Sequence, residues 1–266
     1  MRIGINQKSL GTTDVNQLFA RAKKVQVQGI GLNYEDKKQA KKLADTEHID
    51  QLNSLVDANS IAITGLHLGV LCESPSLLLG ANVPASQEVI LQGMRMSQKL
   101  GKPDVIVPFF GQNRIEFPKE LETVTRAIEE LVESAEEMDV VIAIESTLHL
   151  NQIQSLVADC GSTHVKAVVD VGEWTACKYD VGGMIRGLEL EEISQVHVKD
   201  VRKEKGLPPD YNVRLGRGDV RFSEVASALS AIKYDGWVVL ETPPGDDDGE
   251  IVNWSVGFVK ELFEQK

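Results

Sequence analysis

Short apolar runs alternate with helical stripes along the whole chain. Residues 3–6 read as a strand, and the stretch opened by Thr13 and Asp14 carries Val15, Leu18, Phe19 and Ala22 on one helical face. The alternation then recurs: residues 30–32 are strand-like, and Ile49, Leu52, Leu55 and Val56 make a second helical stripe. Residues 61–66 precede a loop containing Pro75 and a helix over 86–100. Residues 105–107 run into Pro108, Phe109, Phe110 and Gly111, and the acidic stretch 120–137 has the pattern of an amphipathic helix.

In the second half four runs rich in β-branched residues, at 140–144, 165–169, 193–196 and 237–240, read as mostly buried strands. Helical stretches follow them at 151–159, 181–189, 222–232 and 250–264. Eight strand-helix units predict a parallel sheet closed into a single (β/α)8 TIM barrel, one domain over residues 1–266. A doubly wound open sheet is the competing α/β arrangement, but no Gly-x-Gly-x-x-Gly follows the first strand. No internal repeat or Pro-rich linker divides the chain. The charged, Pro-containing segment 202–219 after the seventh strand then falls on the active rim of the barrel, as a lid or substrate loop.

Each of the four later strands stops on a residue that binds hard or borderline metals: Glu145, Asp170, His197 and Glu241. They lie 25, 27 and 44 residues apart, long enough for crossover helices and too long for hairpins. Parallel strands would gather these ends at one rim, where barrel enzymes place their catalytic groups. Three carboxylates and an imidazole suit one divalent ion, Mn²⁺, Mg²⁺, Co²⁺ or Zn²⁺. Any one of them alone reads equally as a capping carboxylate or a satisfied core histidine; four at successive strand ends favour the metal.

Composition narrows the rest. Hydrophobic residues at 42% and charged residues at 26% are those of a globular protein with a full core. Forty acidic against 28 basic residues, a net charge of −12, disfavour nucleic acid and anionic membranes as partners. No apolar segment precedes the first strand and none is long enough to span a membrane, and three cysteines without a Cys-x-x-Cys pair suggest a reduced, cytoplasmic setting.

The local sequences Ile144-Glu145, Val169-Asp170-Val171-Gly172, Val196-His197-Val198-Lys199-Asp200, Leu215-Gly216-Arg217-Gly218-Asp219 and Tyr234-Asp235-Gly236-Trp237 through Glu241 resemble the xylose isomerase-like barrel superfamily. More narrowly they are similar to its sugar isomerase and epimerase branch, which also holds inosose dehydratases. The resemblance implies that Glu145, Asp170, His197 and Glu241 ligate one divalent metal, and that Glu145 and Glu241 face each other across a sugar as acid and base. It implies an isomerase or epimerase of a small sugar or keto-polyol working through a metal-stabilised enediolate. A dehydratase of the same superfamily, in which the enediolate expels a β-hydroxyl, and a non-catalytic metal- or sugar-binding barrel remain as alternatives. Abasic-site endonucleases share the barrel but build a multi-zinc centre from many histidines, which five histidines and a net charge of −12 suit badly. A homo-oligomer is also consistent with the resemblance.

Two departures bear on the substrate. The family often has a histidine three residues after the metal aspartate, where this chain has Glu173, and a glutamate ending the second strand, where it has Gly31-Leu32-Asn33. Glu173 would bind hydroxyls or repel an anionic substrate. His67 matches a position that often lines the sugar pocket, with a buried histidine bonded to backbone as the rival. Lys199 either touches a substrate oxygen or forms a surface ion pair. Trp174, with Phe109 and Phe110, either stacks on a sugar or packs in the core. Arg217 either pairs with a rim carboxylate or binds a substrate anion. His48, His149 and His164 read as surface residues, and the cluster Gly245 to Gly249 as solvated loop and capping carboxylates rather than a calcium loop.

Overall fold

In the computed structural model, which describes residues 1–78, 80–244 and 250–264, the apolar runs pair in parallel. The strands are β1 Arg2–Asn6, β2 Gly29–Asn33, β3 Ala62–His67, β4 Asp104–Phe109, β5 Ile142–Ser146, β6 Val165–Asp170, β7 Ile193–Val198 and β8 Trp237–Leu240. They close in sequence order into a barrel, with β8 returning to β1 through pairs from Arg2 with Trp237 to Ile5 with Leu240. The expected (β/α)8 TIM barrel is therefore the fold.

Helices α1 Val15–Lys24, α2 Lys37–Ala40, α3 Thr46–Asn59, α4 Val83–Lys99, α5 Pro118–Glu129, α6 Val132–Met138, α7 Leu150–Asp159, α8 Val171–Ala176, α9 Val181–Gly187, α10 Phe222–Ala231 and α11 Glu250–Glu264 connect the strands. Asp14 begins α1 as expected, its carboxylate accepting the Gln17 N–H at 2.9 Å. Leu18, Phe19 and Ala22 are buried in the layer between helices and sheet. The acidic stretch 120–137 is two helices rather than one. The chain turns at Glu130 and Leu131, and that turn puts Leu131 into the core at 4% exposure.

The fifth strand starts two residues later than its apolar run. Asp139 adopts left-handed backbone (φ 53°) and the Val140 N–H still bonds the Ala135 carbonyl at 2.9 Å, so Val140 belongs to the end of α6. The strand ends later in compensation, which puts Glu145 inside β5; β7 likewise runs past residue 196 and takes in His197.

Side chains alternate across each strand, so residues two apart share a face. Ile106, Ala143 and Val168 form a small apolar cluster distinct from the helix-facing core, inside the barrel. One step of two residues above Ala143 is Glu145, and above Val168 is Asp170. The same step from Gln195 gives His197, and from Val239 gives Glu241, with His197 in register with Asp170 on one side and Val239 on the other. Among the described residues no helix is long and apolar enough to cross a membrane. The cluster from Gly245 to Gly249 lies outside the described residues.

Candidate metal centre

Strand alternation brings Glu145, Asp170, His197 and Glu241 together: each offers a ligand atom, and these atoms lie within 4.8 Å of one another. Glu145, Asp170 and His197 are buried to 1%, 0% and 1% exposure. His197 Nδ1 stands 2.7 Å from Glu145 Oε1 and 3.4 Å from Glu241 Oε1. Asp170 closes β6 and caps α8, its Oδ1 accepting the Glu173 N–H at 2.9 Å. Its Oδ2 is buried and accepts no hydrogen bond, although the Lys199 ammonium lies 2.8 Å away as an ion pair.

Burial dominates the electrostatics, and the neighbours sort the groups. Desolvation pushes the Asp170 carboxyl up to about 7, with Glu173, Glu145 and Glu241 adding to the rise against the opposing Lys199. Desolvation would likewise raise Glu145, but His197 and His67 hold it well below the ordinary range. His197 would be lowered by burial, yet Glu241 and Glu145 lift it to about 9. Burial opposes the Lys199 charge as well, while Asp170, Glu241 and Glu173 hold it well above its usual value. Without an added cation, one imidazolium and one ammonium balance this crowd of carboxylates. The chemistry of the donor set and a buried Asp170 oxygen that accepts no hydrogen bond both fit a hard or borderline divalent ion.

The mouth above is a cavity of about 300 Å³ lined by Asn6, Asn33, Glu35, His67, Glu145, Glu173, Lys199, Tyr211, Glu241 and Thr242 among others. His67 Nε2 meets Glu145 Oε2 at 2.7 Å, so this histidine is bonded to the centre rather than to backbone. Lys199, 14% exposed, bridges Asp170, Glu173 at 3.0 Å and Glu241 at 3.6 Å, and is no surface ion pair. Glu173 reaches the mouth and accepts the Tyr211 hydroxyl at 2.7 Å.

Two expected contacts are corrected. Trp174 is fully buried, its Nε1–H donating to the Ser146 carbonyl at 3.2 Å, so no ring face remains for a sugar. The Arg217 side chain is exposed and forms no ion pair among the described residues. Only its backbone serves the loop, its N–H donating to Asp200 Oδ2 at 3.0 Å. Phe109 belongs to the core, whereas the half-buried Phe110 reaches the mouth. Of the other histidines His149 is exposed, but His48 and His164 are half-buried.

Several mouth residues escaped the sequence. Asn6 ends β1 and donates to Glu241 Oε1 at 2.8 Å, so the strand-end rule applied to the first strand would have found it. Glu35 lies two residues beyond β2, pairs with Lys8 at 2.9 Å and sits 3.8 Å from His67 Nδ1. Its carboxylate rests against Gly69, where a Cβ would approach it to 2.6 Å. Glu35 therefore supplies an acid near the end of the second strand, which itself closes on Asn33. Tyr211 comes from a loop with no periodic signal.

The sequence matches the xylose isomerase-like TIM barrel family over residues 19–262. The chain belongs to that family. Among solved structures it is similar to the IOLI protein with a binding zinc atom, at 17% identity and TM-score 0.79 over 100% of this chain and 99% of that one. It is also similar to an L-ribulose 3-epimerase, at 18% identity and TM-score 0.83 over 99% and 94% of the two chains. A third, the 3-keto-D-glucoside 4-epimerase of E. coli in its apo form, shares 14% identity with TM-score 0.76 over 98% of each chain. At these identities the likeness is one of fold. No curated protein matches the sequence significantly.

Proposed function

We propose that this protein is a divalent-metal-dependent isomerase or epimerase of a small, uncharged sugar or keto-polyol. The observation that carries the reading is the pair of glutamates, Glu145 and Glu241, meeting at His197 Nδ1 beside Asp170 under an open mouth that Asn6, Asn33, His67 and Thr242 help to line. Glu145, Asp170, His197 and Glu241 would hold the ion, Mn²⁺, Mg²⁺, Co²⁺ or Zn²⁺. A bound divalent ion supplies Lewis acidity, which makes the hydrogen between a carbonyl and its neighbouring hydroxyl easier to remove.

The chain's own residues do the rest. One glutamate, ionised, takes the proton, and the other, entering the step as the protonated acid, gives one to the opposite face of the carbon, so that the two exchange protonation states in each turnover. Glu145 is held ionised by His197 and His67, and His67 Nε2 steadies its second oxygen. Glu241 is fixed by the Asn6 amide on Oε1. Asn33 Oδ1, His67 Nδ1 and Thr242 Oγ1 are buried without hydrogen-bond partners in the lining of the mouth. Hydroxyls of a polyol are the complement such atoms require. Glu35 and Glu173 add negative charge there, which disfavours phosphorylated or carboxylate substrates.

Metal analysis of the purified protein, with a panel of ketoses and keto-polyols incubated in deuterated water, tests the reading. The native chain should take up a divalent ion and exchange the hydrogen next to the substrate carbonyl. Glu241→Gln should lose that exchange by about 100-fold or more while remaining folded. Full exchange in the variant would remove Glu241 from proton transfer, and appearance of a conjugated product would redirect the assignment to a dehydratase.

A further inference from the structure

Three of the four ligand-type residues stand two positions above an apolar side chain: Glu145 above Ala143, Asp170 above Val168, Glu241 above Val239. His197 alone stands above a buried polar residue, Gln195, which is fully enclosed. A buried amide costs free energy unless it is hydrogen-bonded, so a polar residue at this one floor position calls for a reason. Histidine is also the one ligand type here with a tautomer to be fixed.

The contacts around Gln195 form an ordered series. Its Nε2 faces Asp104 Oδ2 at 3.2 Å and the Thr64 carbonyl at 3.3 Å. Both are acceptors: the Thr64 carbonyl can only accept, and Asp104 Oδ2 also receives the Ser194 hydroxyl at 2.6 Å. The amide NH2 must therefore point to the floor, and its oxygen upward. That oxygen, Oε1, lies 3.3 Å from His197 Nε2. An acceptor at this distance requires a proton on Nε2, so when the imidazolium of the metal-free centre gives up its other proton the lone pair of the neutral ring lies on Nδ1. Nδ1 is the nitrogen that faces Glu145 Oε1 and Glu241 Oε1.

We propose that Gln195 and Asp104 are positioning residues for the metal centre: a line of hydrogen-bond polarity running from β4 through β7 orients His197 and selects the tautomer whose Nδ1 can bind the ion. This rests on the metal-dependent reading above. A flipped Gln195 amide would set its NH2 against Nε2–H and its oxygen against two acceptors. Acceptor-only chemistry at the floor thus determines donor chemistry at the rim, two residues higher. Partners of this kind beyond the ligands typically change metal affinity by 10- to 100-fold.

Zinc affinity, measured by competition with a chromophoric chelator on the metal-stripped full chain, tests this without reference to turnover. Gln195→Met keeps the volume and removes the acceptor; its zinc Kd should rise about 10- to 100-fold. In zinc-loaded protein labelled with ¹⁵N-histidine, the hydrogen-bonded His197 Nε2–H resonance should move upfield in the same variant. Val168→Ala, which disturbs the apolar side of the floor, should lower Tm and leave the zinc Kd unchanged. A Gln195→Met protein with lowered Tm but native zinc Kd would assign Gln195 to packing and overturn the proposal. If Gln195→Met does not fold, Asp104→Asn carries the test, because an asparagine can donate to Gln195 and release the amide to flip; a native Kd there overturns the proposal equally. A native chain that binds no divalent ion refutes the metal reading itself. Native binding with unaffected variants refutes the positioning role alone.

Discussion

Cys72 shows how the centre's charge reaches its surroundings. The half-buried thiol lines the mouth, where desolvation first, and then the carboxylates of Glu145 and Glu35, push it up to about 11. A thiol reacts as its thiolate, so at pH 8 only about one molecule in a thousand is reactive, and the rate should rise tenfold per pH unit. With Cys160 and Cys177 changed to alanine, stopped-flow modification of the metal-free protein by a disulfide reagent measures this directly. Modification at an ordinary thiol's rate at pH 8 would contradict the upward shift, whose first cause is burial, with Glu145 and Glu35 adding to it. Loading with Mn²⁺, which offsets the Glu145 charge, should accelerate the reaction at fixed pH. Glu35 has part in this field only because Gly69 leaves its carboxylate room.

At the scale of elements, the connection from β7 to α10 is the one that shapes the mouth. Asp200, 1% exposed, accepts four backbone N–H groups: Val201 at 2.8 Å and Val220 at 3.2 Å on Oδ1, Arg217 at 3.0 Å and Gly218 at 2.7 Å on Oδ2. A Cβ at Gly218 would collide with that carboxylate. The loop so tied carries Tyr211 over Lys199, 5.1 Å from ammonium to ring, and onto Glu173. Asp200→Asn keeps the shape but turns half of the acceptor capacity into a donor facing buried N–H groups. About 2–4 kcal/mol of stability should be lost, read from urea unfolding, because unpaired buried groups cost about 1–3 kcal/mol each. With the loop loosened, KM should rise more than kcat falls. An unchanged unfolding midpoint would show that the loop does not depend on Asp200. All eight strands were legible as short apolar runs alternating with helical stripes, and the four ligand-type residues as the polar ends of the four later, β-branched runs, since these are local patterns. What remained hidden was either capped or long-range. The late start of β5 follows from the Asp139 turn, and Tyr211 meets Glu173 across 38 residues. For Trp174 stacking and packing stayed open because position at a rim does not say which way a ring turns, and here it turns into the core toward Ser146.

Across the whole molecule the candidate ligands come from β5 to β8, whereas Asn6, Asn33, Glu35 and His67 on or just beyond β1 to β3 supply only mouth groups. A bound ion would therefore tie together one half of the rim and leave the other half held by its own packing. Within the tied half, the same ion would offset the burial and the neighbouring carboxylates that raise Asp170 to about 7, and would add a ligand bond at an oxygen that Lys199 now holds as an ion pair. A ligand that binds only the folded state adds RT ln(1 + [L]/Kd), about 4 kcal/mol at a thousandfold excess over Kd. For a chain of this size that corresponds to a rise in Tm of roughly 10 °C, at about 2–4 °C per kcal/mol. Chelator-treated protein scanned calorimetrically with and without added metal should show the shift. Hydrogen exchange should place the new protection at the C-terminal ends of β5 to β8, with β1 to β3 little changed. Protection spread evenly around the barrel would mean that the ion acts on global unfolding rather than on one half of the rim. A Tm indifferent to chelation would mean that the four residues hold their geometry through Lys199 and His197 alone.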